Sequence, residues 1–299
     1  MTGKSKIQWT DATWNPLAGC SIVSPGCTNC YAMRQAARIE RMGGADHYVG
    51  LTEMIKDKPI WTGKVALASE KTLRAPLRWK APRKIFVNSM SDLFHESVPD
   101  EWIDKVFAIA ALSPQHIFQF LTKRPKRMRD YVGMRAGDWQ VVLPEAFAPG
   151  TLPISKHGVV AHIGVSTPEH RSLYGATQPC WPLPNVWLGV TAEDQTRADE
   201  RIPDLLATPA AVRFASCEPM LGPLDLTDMC NGHYFYDALS GARWHDDPDG
   251  INPRVPYEAK LDWVICGGES GPGARPMHPD WARSLRDQCA AAGTRFFMK

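Results

Sequence analysis

The 299-residue chain contains no apolar run of the ~18 residues that a bilayer-crossing helix needs. Met1 to Thr10 lacks the apolar core of a secretory signal. These two absences predict a protein that stays in the reducing cytoplasm and has no membrane partner. An excess of charge of one sign is missing too. The formal net charge is only +2, which excludes a strongly basic polymer-binding body and leaves nucleic acid to a local basic cluster. No repeat of fixed short period and no low-complexity tract is visible. With 44% hydrophobic and 22% charged residues, wholesale disorder is excluded as well.

What the chain does have is 25 prolines and 11 tryptophans, enrichments that point to long shaped loops on a scaffold. It also has eight cysteines. Cys180, Cys217, Cys230, Cys266 and Cys289 are scattered, whereas Cys20, Cys27 and Cys30 are clustered. In a reducing compartment such a cluster means metal or redox chemistry rather than disulfides.

Short β-rich runs predict strands at Lys6–Trp9, Lys64–Leu67, Lys84–Asn88, His116–Leu121, Val186–Val190, Val212–Ser216, Trp263–Cys266 and Arg295–Met298. Helical stretches follow most of them: Glu70 to Trp79, Asp100 to Leu112 behind Pro99, one to about Leu206, and Asp280 to Ala292. This alternation argues for parallel βα units. Seven or eight strands fit a TIM-like α/β barrel, complete or partial, better than a doubly wound sheet. The whole chain, 1–299, reads as one barrel domain with insertions at 133–184 and 227–260. The first insertion holds a candidate hairpin around Val159 to Val165. Both are read as loops covering one barrel face, since structureless loops of this length are usually functional.

In a parallel barrel the active site lies at the C-terminal strand ends. The predicted strands therefore bring Ser89, Ser91, Asp92, Thr122, Lys123, Arg124, Thr191, Glu193, Glu218 and Glu269 to one mouth, together with the cysteine loop. That loop has the spacing Cys-x6-Cys-x2-Cys, and a helix starts at about Cys30. Gly19, Pro25 and Gly26 let its backbone turn around a bulky object. Three close thiolates without a fourth are a poor match to structural zinc, which takes four closed ligands. They suit a cubane cluster with one iron left open to a small molecule.

Three cysteines in the loop after the first strand of a βα barrel resemble the radical S-adenosylmethionine superfamily. Trp14-Asn15-Pro16, Gly19-Cys20 and the run from Pro25 through Ala32 resemble an uncharacterised phage-associated three-cysteine family. So do Phe86 to His95, Leu121 to Pro125, Cys217 to Pro223 and Gly267 to Gly271, which together span nearly the whole chain. The first cysteine gap is six residues where the superfamily usually has three, and the aromatic residue, Tyr31, follows the last cysteine instead of preceding it.

The resemblance implies a [4Fe-4S] cluster on Cys20, Cys27 and Cys30, with S-adenosylmethionine chelated at the open iron. An external electron donor would drive cleavage of the S–C5′ bond, and the resulting 5′-deoxyadenosyl radical would take a hydrogen from substrate. Gly267-Gly268-Glu269 resembles the superfamily segment that contacts the amino group of S-adenosylmethionine, although it follows a late strand. Glu193 and Glu218 are alternatives for that contact, and Thr191 and Ser89 are candidates for the methionine carboxylate. Cys217 is a candidate hydrogen-atom donor and His95 a candidate acid or base.

Ser91, Asp92, Lys123 and Arg124 are candidate substrate groups. The basic run from Lys123 to Arg129 opens a helix, where phosphate is favoured. A nucleic acid or nucleotide substrate follows, with base modification or photoproduct-type repair as the reaction. Two other classes stay open. One is a non-catalytic nucleic-acid-binding protein whose three cysteines and one histidine, such as His47, hold zinc. The other is a hydrolase using the acidic mouth, its cysteines merely packed.

Overall fold

A computed structural model describes residues 3–5, 7–135, 140–142, 162–164, 181–230, 232, 234–244, 255–256 and 259–299. Its main sheet has eight strands in chain order. These are β1 (Gly3–Lys4), β2 (Ala12–Trp14), β3 (Lys84–Val87), β4 (Ile117–Thr122), β5 (Val186–Thr191), β6 (Val212–Cys217), β7 (Trp263–Cys266) and β8 (Arg295–Met298). β1 runs antiparallel to β2. From β2 to β8 every neighbouring pair is parallel. β8 does not pair back to β1 or β2, so the sheet is a partial barrel and not a closed one.

Helices α1 (Tyr31–Arg41), α2 (Asp100–Ala111), α3 (Pro125–Arg135), α4 (Gln195–Ala207) and α5 (Pro279–Ala292) follow the strands. Local chemistry sets their ends. Pro99 precedes α2 with Asp100 and Glu101 in its first turn, where acidic groups oppose the helix dipole. The Asp194 carboxylate caps α4 by accepting the Arg197 N–H at 3.0 Å. Gly293, left-handed at φ 69°, ends α5.

The period-two alternation of the strands divides their side chains between two cores. Phe118, Phe120, Leu188, Val190, Ala215 and Val264 join the large core shared with the helices. Phe86, Phe214 and Ile265 face the other way, with Leu121, Trp187, Trp263 and Phe297 packed against them. Trp9 plugs this second core, its ring 4.8 Å from that of Phe86 and 6.1 Å from that of Trp263.

Three expected elements differ. Of the strand expected at Lys6–Trp9, Lys6 lies outside the described residues, and residues 7–10 form a turn closed by the Thr10 N–H to the Ile7 carbonyl at 3.3 Å in place of a strand. Of Lys64–Leu67 only Ala66–Leu67 is extended, and it pairs antiparallel with Leu17–Ala18 beside the cysteine loop instead of joining the sheet. The helix expected through Trp79 is split into Glu70–Leu73 and Pro76–Arg78, because Pro76 supplies no amide to continue it.

Most of the 133–184 insertion lies outside the described residues. Within it His162–Gly164 pairs antiparallel with Gln140–Val142; the rest of the candidate hairpin, including Val159 and Val165, lies outside the described residues. In 227–260 the described residues form a small antiparallel sheet of Met229–Cys230, Phe235–Asp237, Ala242–Trp244 and Val255–Pro256. Its Cys230 N–H reaches the Asp199 carboxylate of α4 at 3.3 Å. It therefore packs on the helical layer, and none of its described residues lines the cavity at the strand ends. No helix among the described residues is long and apolar enough to cross a membrane.

Candidate active site

The C-terminal ends of the parallel strands open into a cavity of about 1240 Å³, its mouth included. Cys20, Cys27 and Cys30 all line it. The loop carrying them is fixed by turns that only certain residues allow. Gly19 sits at φ 95°, and a Cβ there would come within 2.1 Å of the Lys64 carbonyl oxygen. Its N–H donates to the Met90 carbonyl at 3.2 Å. The Asn15 carboxamide oxygen accepts from the Ser89 hydroxyl at 3.0 Å and the Met90 N–H at 3.1 Å. Asn88, left-handed at φ 60°, accepts the Leu17 N–H on its side-chain oxygen at 3.3 Å. The Trp-Asn-Pro segment and the segment after β3 thus lock each other.

Three carboxylate–arginine pairs tether the loop to successive strand ends. At the Cys20 end, Asp92 accepts from the Thr122 hydroxyl at 2.7 Å and the Lys123 N–H at 3.0 Å. Arg124 Nη1 donates to Asp92 at 3.1 Å and points at Cys20 Sγ at 3.7 Å. Arg124 Nη2 donates to Ser21 Oγ at 2.6 Å. Burial opposes the charge on Arg124, but Asp92, Cys20 and Glu96 outweigh it and raise its pKa.

His95 completes this end from behind. Its Nδ1 accepts the Ser97 N–H at 3.1 Å, so the neutral ring carries its proton on Nε2, 3.0 Å from Ser21 Oγ. Burial, then Arg124, lowers its pKa, which keeps it neutral at pH 7.

At Gly26, the fully buried Glu193 accepts the glycine N–H at 3.3 Å and Arg201 Nη1 at 2.9 Å. Burial alone would raise the Glu193 pKa; Arg201 and then Lys123 reverse this and lower it. A Cβ on Gly26 would lie 2.9 Å from Glu193 Oε1, so the close approach requires glycine. At the far end, Glu269 accepts from Arg275 Nε and Asn29 Nδ2, both at 2.9 Å. Arg275 Nη2 also donates to the Pro25 carbonyl at 2.9 Å. The Arg275 hydrogen bonds hold the Glu269 carboxyl down at about 2.

Of the residues singled out from sequence, Ser89, Ser91, Asp92, Lys123, Arg124, Thr191, Glu218, Gly268 and Glu269 line the cavity with the cysteines. Glu218 pairs with Lys299. Lys123 Nζ donates to Thr191 Oγ1 at 3.2 Å and has no carboxylate partner among the described residues. Glu193, His95 and Gly267 do not line the cavity; the first two support its walls from outside. Cys217 is not brought to the mouth either. It belongs to the helix-facing core, while its neighbour Ser216 faces the cavity, as strand alternation requires. Arg124 lines the cavity but is only 7% exposed, its guanidinium held by Asp92, Glu96 and Ser21.

Ser21, Asn29, Tyr31, Asn88, Glu96, Arg201 and Arg275 were not singled out. Ser21 follows Cys20, and Asn29 and Tyr31 flank Cys30 in the sequence; that adjacency is the available signal. The others required knowing which strand ends meet.

Three cysteines at one cavity are the donor type that an iron–sulfur cluster takes. Burial, then Asp92, pushes the Cys20 thiol up to about 12, and burial raises Cys30. In a cubane each thiolate binds a different iron, so the three need a common cavity and not a common point. Among the described residues no three His, Cys, Asp or Glu side chains stand close enough to hold a single metal ion. His47 is outside the cavity, its ring centroid 4.6 Å from that of Tyr48. Asn88 lines the cavity, and its buried Nδ2 has no hydrogen-bond partner among the described residues.

These features define an α/β partial-barrel protein with a three-cysteine cavity at its strand ends. A family model described as "Protein of unknown function (DUF5131)" matches residues 4–299, so the chain belongs to that family. No curated protein and no solved structure matches the chain.

Proposed function

We propose that the protein is an iron–sulfur enzyme of the radical S-adenosylmethionine type, with Cys20, Cys27 and Cys30 as the cluster ligands. The observation that carries this reading is the convergence of the three thiols on one cavity, on a loop tied by ion pairs to three strand ends. When bound, the cluster supplies an electron for reductive cleavage of S-adenosylmethionine, and through it a hydrogen-abstracting radical. Electrons come from an external donor.

The chain's own residues bind, orient and exclude water. Lys123 offers a cation without a carboxylate partner among the described residues, suited to a carboxylate or phosphate. Ser89, Thr191 and Glu218, with Glu269 beyond them, supply polar groups along the same wall. Trp9, Phe86 and Leu121 form an apolar floor, and Trp61 and Tyr31 line the cavity nearer the cysteine loop. An apolar floor for a flat base beside a cation for phosphate supports a nucleic acid or nucleotide substrate.

Protein purified without oxygen, then reduced with dithionite in the presence of S-adenosylmethionine, is expected to release 5′-deoxyadenosine. Iron-loaded protein that forms none, with or without nucleotides and oligonucleotides added, would contradict the assignment.

A further inference from the structure

Among the described residues Arg124 is the one cation hydrogen-bonded to a cysteine sulfur, and its surroundings leave it little else to do. We propose that Arg124 is a positioning and tuning residue for Cys20 that raises the reduction potential of the cluster. This rests on the iron–sulfur reading above. It departs from the sequence-based expectation that Arg124 meets substrate.

The geometry accounts for nearly the whole guanidinium. Nε lies 2.9 Å from both oxygens of Glu96. One N–H of Nη1 is directed at Asp92, at 3.1 Å, and the other at Cys20 Sγ, at 3.7 Å. Nη2 reaches Ser21 Oγ at 2.6 Å. Four of the five N–H donors of an arginine are thereby committed. Asp92 is itself anchored by the Phe94 N–H at 3.0 Å, besides Thr122 and Lys123. The fork is therefore rigid, and the only partner on its cavity side that ligates metal in this reading is Cys20. Ser21 Oγ accepts from Arg124 and faces His95 Nε2–H, so its own proton is left to donate into the cavity that it lines.

One-electron reduction adds a negative charge that is shared over the cluster and its sulfur ligands. A fixed cation and an N–H aimed at one of those sulfurs stabilise the reduced form more than the oxidised form, which raises the potential. Glu96 works in the opposite direction. It lies on the far side of the guanidinium with its side chain 65% exposed, and it screens part of the positive charge.

The two residues give changes of opposite sign. Arg124→Gln removes the cation and the sulfur contact. At a fixed applied potential it is expected to shift the oxidised-to-reduced ratio about tenfold toward oxidised, about 59 mV for a one-electron couple. Glu96→Gln keeps the fork on Asp92 and Cys20 and unmasks charge, so the potential moves upward by a smaller amount. Both variants keep all three cysteines and are expected to load iron as the wild type does.

The test is a dithionite titration of wild type and both variants, followed by electron paramagnetic resonance, with iron content measured alongside. Opposite shifts support the role of Arg124. Unmoved potentials, or shifts of the same sign, overturn it while the loaded iron leaves the functional reading standing. If Arg124→Gln fails to fold, Glu96→Gln decides alone: an upward shift supports the proposal and no shift overturns it. Wild-type protein without iron defeats the functional reading itself, and this proposal with it.

Discussion

Two points of the cysteine loop are held by the same kind of contact in different surroundings. At Gly26 the tether is the Glu193–Arg201 pair, whose side chains are 0% and 3% exposed. On either side of it, at Pro25 and Asn29, it is Glu269–Arg275, with the glutamate side chain 5% and the arginine side chain 34% exposed. Solvent access decides what each pair contributes. A fully buried carboxylate that loses its arginine has no water to fall back on, whereas Glu269 sits beside an arginine that reaches solvent and keeps the Asn29 and residue-275 N–H donors. The Gly26 contact is thus an anchor closed to solvent on both sides, while the Asn29 contact is a clasp open to solvent on its arginine side, beside the last cysteine.

The comparison breaks most visibly at Arg201. Arg201→Met would strand Glu193 in the core and is expected to cost about 3–5 kcal/mol, read from urea unfolding. A loss below about 1 kcal/mol would mean that Glu193 finds solvent and that the anchor is not buried as described. Next comes Gly26→Ala, whose methyl would meet Glu193 Oε1 at 2.9 Å. Overpacking there should cost about 1–3 kcal/mol and reduce iron uptake, because the anchor must shift. A variant as stable and as fully loaded as wild type would show that the close approach is dispensable.

The smallest effect belongs to the clasp. Arg275→Ala should cost less than Arg201→Met, about 1–2 kcal/mol globally, because the Asn29 carboxamide and the residue-275 N–H still donate to Glu269, yet speed hydrogen exchange in residues 269–275. The clasp is also acid-sensitive. The folded Glu269 carboxyl, held at about 2 by Arg275, lies below the ordinary value of about 4.3 for a free glutamate. Its stabilisation is therefore complete above that ordinary value and is lost as the pH falls toward 2. Exchange in this segment should rise over that window in the wild type and not in Arg275→Ala. Equal acid responses in both would sink the clasp.

Much of this frame was legible in the sequence because its signals are local. The strand–helix alternation and the cysteine spacing can be read within a few residues, and the strands from Lys84 onward fall where the apolar runs place them. Parity was not legible. Whether Ser216 or Cys217 faces the cavity depends on register against neighbouring strands, and adjacent residues in a strand point opposite ways. Long-range pairing was hidden too. Nothing in the run Lys64–Leu67 says that it pairs with Leu17–Ala18 rather than joining the sheet. Arg124 stands in a basic run that reads as phosphate-binding, yet Asp92 and Glu96, about 30 residues earlier, claim it once β3 and β4 are side by side. The same distance concealed Arg275, whose Pro25 contact spans the chain.

The most direct test is iron and acid-labile sulfide, counted per chain in anaerobically purified protein and in its Cys27→Ala variant. A brown protein with roughly four of each, lost in the variant, is the predicted result. A colourless wild-type protein carrying a single zinc, or iron content indifferent to Cys27, would contradict the account.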